Sequence, residues 1–166
     1  MQISKAFKPF FAAALCGSAL SLVPAAQAAT ATTTFAVTAT VQATCTVTAT
    51  ALGFGTYVPS AASAATSTIS VTCTNTTPYN VGLNAGVASG ATVTNRSMTG
   101  PGSALLNYAL TSDSGHTTNW GNSTGSWVGG TGNGSAQALT VYGQVAAGQY
   151  VAPGAYSDTI TATVNY

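Results

Sequence analysis

The side chains able to do chemistry are few and scattered. Beyond residue 28 the chain holds one histidine, His116, two carboxylates, Asp113 and Asp158, one cation, Arg96, and two cysteines, Cys45 and Cys73. A nucleophilic triad would draw on His116, Asp113 and one of many serines. Asp113 and His116 share the loop Asp113-Ser114-Gly115-His116, however, and no nucleophile-elbow pattern is present. Paired-carboxylate chemistry would need Asp113 and Asp158. Asp158 follows the turn Pro153-Gly154 on the apolar phase of a ribbon, where capping a turn or pairing with Arg96 is the simpler role. Gly129–Gly134 lacks the Lys and Ser/Thr that follow a phosphate loop, and no helix comes after it, so it reads as a mobile surface loop. Trp120 and Trp127 could stack on a sugar, although large aromatics more often anchor a core or a loop. Asn-x-Ser/Thr triplets begin at Asn75, Asn95, Asn122 and Asn133, and a chain so rich in these types makes them by chance. Zinc needs four ligands, of which His116 is one. We expect no catalytic residue, no metal and no cofactor.

The two cysteines sit on the apolar phases of two alternating stretches. In an oxidising compartment such a pair reads as a disulfide in the core or at its rim, the other option being two free thiols. The enclosed loop of about 28 residues would constrain the unfolded chain by ~3.5 kcal/mol. Export is expected from residues 1–28. Lys5 and Lys8 form a basic start, Phe10–Val23 is an apolar run of fourteen residues, and Ala26-Gln27-Ala28 is a small-x-small cleavage site. That run is too short for a membrane span. Cys16 lies inside the expected signal peptide without a lipoprotein context. Cleavage before Ala29 would leave 138 of the 166 residues, enough for one domain with a real core.

Charge is nearly absent from that remainder: Arg96 against Asp113 and Asp158 gives a formal net of −1. Nothing there could neutralise phosphates, so nucleic acid is excluded as a partner. A surface of Thr, Ser, Asn, Gly and Ala with almost no net charge favours association and suits a protein packed into an assembly.

The elements that must position these residues are strands. Thr33 to Ala51 alternates without a break, with Phe35, Val37, Ala39, Val41, Cys45 and Val47 on one face and mostly Thr on the other. Nineteen residues in extended form would reach ~60 Å, several times a usual strand. No Gly, Pro, Asn or Asp marks a hairpin within it. Either this ribbon bends across two sheets of its own domain, or its first half leaves and pairs elsewhere. Further on, Pro59–Ala65 reads as a loop. Thr68–Thr74, the stretch from Pro78, Ala91–Met98 (weakly), Ala104–Leu110 and Ala136–Val145 read as strands. Gly86–Gly90 is a turn region and Ser112–Ser135 a long polar segment. A closing ribbon puts Tyr156, Ile160, Ala162, Val164 and Tyr166 on one face. No helical period appears after residue 28, so the fold class is all-β with about seven strands.

These features occur in a recognisable order. Cys45-Thr46-Val47 and Phe54-Gly55-Thr56-Tyr57 precede Ile69-Ser70-Val71-Thr72-Cys73. Arg96-Ser97-Met98, Leu106-Asn107-Tyr108, Trp120-Gly121, Leu139-Thr140-Val141-Tyr142-Gly143 and Gly154-Ala155-Tyr156-Ser157-Asp158 follow. The set resembles the spore coat protein U domain, the fold of Csu-type archaic chaperone–usher pilus subunits, over essentially the whole expected mature chain. The resemblance implies an incomplete immunoglobulin-like β-sandwich whose final strand is supplied in trans. Residues 29–41 would then be an N-terminal donor strand, with Phe35, Val37, Ala39 and Val41 facing inward, and 42–166 the sandwich. Tyr156, Ile160, Ala162, Val164 and Tyr166 would border the acceptor groove. The implied partners are like subunits, a periplasmic chaperone and an outer-membrane usher; the implied destination is a cell-surface fibre reached through the periplasm. An adhesin module using Trp120 and Trp127 is the other function this resemblance allows.

Overall fold

The computed structural model describes residues 27–166. The expected signal peptide, 1–28, lies outside the described residues except for its last two. The chain divides into two units at Thr38/Ala39. In the first, residues 27–38 carry neither helix nor strand and are exposed, Phe35 to 85%.

The second unit holds the sandwich. Its strands are β1 Cys45–Ala49, β2 Ser63–Cys73, β3 Pro78–Leu83, β4 Arg96–Thr99, β5 Leu105–Thr111, β6 Val128–Thr131, β7 Gln137–Val145 and β8 Ala162–Asn165. A single 3-10 turn, Pro101–Ser103, joins β4 to β5. One sheet has five strands in the order β1-β2-β7-β5-β4, the other three in the order β6-β3-β8. Every named pairing is antiparallel.

Period-two alternation decides what each strand buries. β2 turns Ile69, Val71 and Cys73 inward, β5 turns Leu106, Tyr108 and Leu110, and β7 turns Val141 and Val145. From the facing sheet β3 contributes Tyr79, Val81 and Leu83. The register places Cys45 opposite Cys73. Their Cα atoms are 4.1 Å apart and their sulfurs are bonded. Cys73 is buried and Cys45 half-buried, so the bridge lies at the rim of the core.

Several expectations need correction. Of the ribbon Thr33–Ala51 only Cys45–Ala49 is strand, because β2 and the residue after it supply backbone bonds from Thr44 to Thr50 and not to the residues before Thr44. Of the closing ribbon only Ala162–Asn165 is strand. The supposed loop Pro59–Ala65 ends in the start of β2, since Ser63 already pairs with Val145. Within Ala91–Met98 the strand begins only at Arg96; Thr92 and Asn95 close a turn before it. Gly129 and Gly130 are not a mobile loop but part of β6, paired with Asn80 and Tyr79. A Cβ on Gly130 would strike the Tyr79 ring, and one on Gly132 the Thr74 carbonyl, so close approach explains both glycines. β6 raises the strand count among the described residues to eight.

Candidate functional site: an open groove beside an unpaired sheet edge

Five strands face three, so the three-stranded sheet leaves part of its partner's inner face uncovered. The gap is a groove of about 410 Å³. Its floor is core: Ile69, Leu110, Val141, Tyr108 and Leu83. One wall is the segment after β1, where Leu52 and Phe54 lie over Gly143; a Cβ there would meet both side chains. The other wall is Tyr156–Ala162, the approach to β8. A second groove of about 660 Å³ shares Leu52, Phe54, Met98 and Tyr156 with the first and carries it on past Tyr57, Leu106 and Val151.

The backbone of β8 sets what this groove can do. β8 is the last strand of its sheet. Asn84 N–H donates to the Thr161 carbonyl at 3.1 Å, and the register continues through Gly82 opposite Thr163 and Asn80 opposite Asn165. Antiparallel pairs alternate between bonded and non-bonded positions, so Thr161, Thr163 and Asn165 spend their main-chain groups on β3. Ile160, Ala162 and Val164 therefore turn theirs to the open side. The same three side chains pack against the core. An extended segment entering here would gain a main-chain ladder and an apolar floor together.

The groove wall is pinned by polar contacts. Thr99 and Ser157 exchange two backbone bonds of 2.9 and 3.1 Å. Asp158 accepts from the Tyr108 hydroxyl at 2.6 Å, from Val87 N–H at 2.8 Å and from Thr159 N–H at 2.7 Å. A Cβ at Gly86 would strike the Asp158 carboxylate, which fixes glycine there, at a positive φ of 87°. Burial pushes the Tyr108 phenol well above its ordinary pKa, and the bond to Asp158 adds to the effect. Tyr108 is thus a permanent donor.

Of the two roles expected for Asp158, the structure has it accepting N–H groups of a turn, those of Val87 and Thr159, and not pairing with Arg96. Arg96 is 0% exposed, and its guanidinium donates to the carbonyls of Asn84 (2.8 Å), Val93 (2.6 Å), Leu83 (3.1 Å) and Trp120 (2.7 Å). Burial lowers its pKa, while Tyr108 and Asp158 favour the cation. Four carbonyls around one buried cation tie the end of β3 to the loops before β4 and β6. Nothing in the sequence marked this role beyond Arg96 being the one cation after residue 28.

The other candidate residues are placed apart from the groove or occupied. Trp120 is buried, with its indole N–H on the Val81 carbonyl at 2.8 Å, so it has no face for a sugar. Trp127 is half-buried beside Gly82. The Asp113 carboxylate accepts from Thr117 and Thr118 N–H groups, which lower its pKa to about 2, while His116 reaches only the Asp113 backbone carbonyl, its N–H donating at 3.2 Å. His116 Nδ1 lies 3.3 Å from the Thr111 hydroxyl. Of the ribbon residues, Tyr156 and Ile160 line the groove with Ala162, and Val164 packs against the core next to it. Tyr166 stands exposed past the end of β8. Phe35, Val37 and Val41 are exposed large apolar side chains, and Ala39 is exposed as well.

Comparison of the sequence with curated proteins gives no match. Among solved structures, the fold resembles a chain of the CsuC–CsuE chaperone–tip adhesion subunit pre-assembly complex from the archaic chaperone–usher Csu pili of Acinetobacter baumannii. The two are 25% identical with a TM-score of 0.57, over 76% of this chain and 40% of that one. The present chain thus spans about two fifths of its neighbour, and the shared part is an immunoglobulin-like all-β fold. Residues 31–163 match the Spore Coat Protein U domain, and with most of its length inside that match the chain belongs to the Spore Coat Protein U domain family.

Proposed function

We propose that this chain is a structural subunit of a pilus-like extracellular fibre, assembled by the chaperone–usher route through donor-strand exchange. Residues 1–28 direct export, 29–41 are the donor strand, and 42–166 form the acceptor sandwich. The single observation that carries this reading is the apolar groove beside the unpaired main-chain edge at Ile160, Ala162 and Val164. Phe35, Val37, Ala39 and Val41 have the period and chemistry to fill it. A periplasmic chaperone would occupy the groove first, and an outer-membrane usher would exchange it for the donor of a like subunit. That the structural neighbour is a chaperone complex from a chaperone–usher pilus supports the chaperone step. The fibre's role is surface adhesion and biofilm formation, and the subunit itself performs no catalysis.

Energetics support the same reading. Each new main-chain bond contributes ~1 kcal/mol net. Each buried Phe or Val side chain adds roughly 1.5–3 kcal/mol. The sum suits a link that holds without covalent bonds. Deleting residues 29–41 tests it directly. The truncated chain should accept a donor and cap growing polymers, yet form none alone. Fibres built from the truncated chain by itself would refute the donor assignment.

A further inference from the structure

We propose that Val58, Leu105 and Tyr150 form a second contact surface between successive copies of this chain, covered by the body of the copy whose donor fills the groove. This rests on the donor-strand reading above. All three side chains are exposed, Tyr150 to 86%. The segments that carry them are tied to one another through residues next to each in the chain. Gly148 N–H donates to the Pro59 carbonyl at 2.7 Å, and the Tyr57 hydroxyl donates to the Ala146 carbonyl at 2.8 Å. Gln149 clamps Asn107 twice, accepting from its N–H at 2.8 Å and donating to its carbonyl at 2.9 Å. Tyr150 thus stands on an anchored loop, where little conformational freedom is lost when it is covered.

The larger groove opens at this same end, lined by Tyr57, Pro59, Leu106, Gln149 and Val151. Direction then decides what arrives there. All the named pairings are antiparallel, and antiparallel pairing is slightly the more stable. An antiparallel donor runs from Phe35 near Val164 toward Val41 near Asp158. Gln42, Ala43 and Thr44 then leave along the larger groove. From Val41 to Cys45 the chain can reach no more than ~14 Å. Cys45 is bonded to Cys73, so the next sandwich begins there with no slack. Its body must come to rest against the end of the groove lined by Tyr57, Pro59, Leu106, Gln149 and Val151, each adjacent in the chain to one of the apolar trio.

The test compares two ways of filling the groove. A synthetic peptide of residues 29–41 supplies a donor without a body; polymerised full chain supplies both. Hydroxyl-radical labelling of Tyr150 should fall severalfold in the polymer and stay unchanged with the peptide. The variant Val58→Ser/Leu105→Ser/Tyr150→Ser should still polymerise, giving fibres of shorter persistence length in micrographs. Equal labelling of Tyr150 in polymer and peptide complex, or unchanged stiffness of the variant fibres, overturns the second contact while leaving donor exchange intact. If neither peptide nor polymer slows amide exchange at Ala162 and Val164, the donor-strand reading fails and the second contact falls with it.

Discussion

At the scale of single residues, one cation organises this molecule. Arg96 is fully buried and serves four carbonyls, of which those of Leu83 and Asn84 end the strand beside β8. The bonds to Leu83 and Trp120 are buried, and those to Asn84 and Val93 part-buried. Replacing Arg96 by Met keeps much of the volume but orphans all four. Unmade hydrogen bonds to buried groups cost ~1–3 kcal/mol each, tempered by local relaxation, so a loss of about 3 kcal/mol or more is expected. For a domain of this size that lowers Tm by roughly 10 °C. Calorimetry on Arg96→Met checks it, and a change of only a degree or two would show that the carbonyls find other partners. Asp158 acts one step nearer the groove. Its bonds to Tyr108 and Val87 fix the wall that an incoming strand would meet.

At the scale of elements, the parity of β8 gives a sharp test. Ala162 points its N–H to the open side, whereas Thr163 points its N–H to β3. Proline at an edge position is tolerated where the lost N–H faces outward. Ala162→Pro should leave the sandwich folded but weaken donor-peptide binding, while Thr163→Pro should destabilise the fold itself. Circular dichroism melts alongside peptide titrations separate the two, and the reverse pattern would place the register one residue off. The same elements show what could be read in advance. β2, β3, β5 and β7 were legible because alternation there coincides with burial on one face, and that phase also put Cys45 and Cys73 inward. β6 was hidden, since Gly129 and Gly130 carry no periodicity; their extended state comes from Tyr79 and Asn80 across the ladder. The first half of the N-terminal ribbon had the cleanest alternation yet is not strand. A period tells which face is apolar, not whether a neighbour exists to bond the backbone. Alternation alone could not show the groove, a property of five strands against three; only the family resemblance implied it, with Tyr156, Ile160, Ala162, Val164 and Tyr166 at its border.

At the scale of the whole molecule, a nearly uncharged surface, an open groove and an exposed apolar ribbon point the same way. With Arg96, Asp113 and Asp158 as the formal charges after residue 28, little long-range repulsion opposes close packing of copies. On the proposed donor-strand reading, the strength of the link depends on how well residues 29–41 fill the groove. Phe35, Val37 and Val41 are bulky, whereas Ala39 in the middle adds little buried area. Ala39→Ile supplies the missing apolar surface, worth about 2 kcal/mol if the groove of about 410 Å³ accommodates it. That corresponds to more than a tenfold drop in the release rate of a 29–41 peptide, since ~1.4 kcal/mol is a factor of ten. Release measured by displacement with excess unlabelled peptide should therefore slow for Ala39→Ile and quicken for Val37→Ala. Faster release from Ala39→Ile would mean that position 39 meets a shallow part of the floor, where added methylenes overpack. The register of the donor would then have to shift along Ile160, Ala162 and Val164 by two residues, the smallest step that keeps the same face inward.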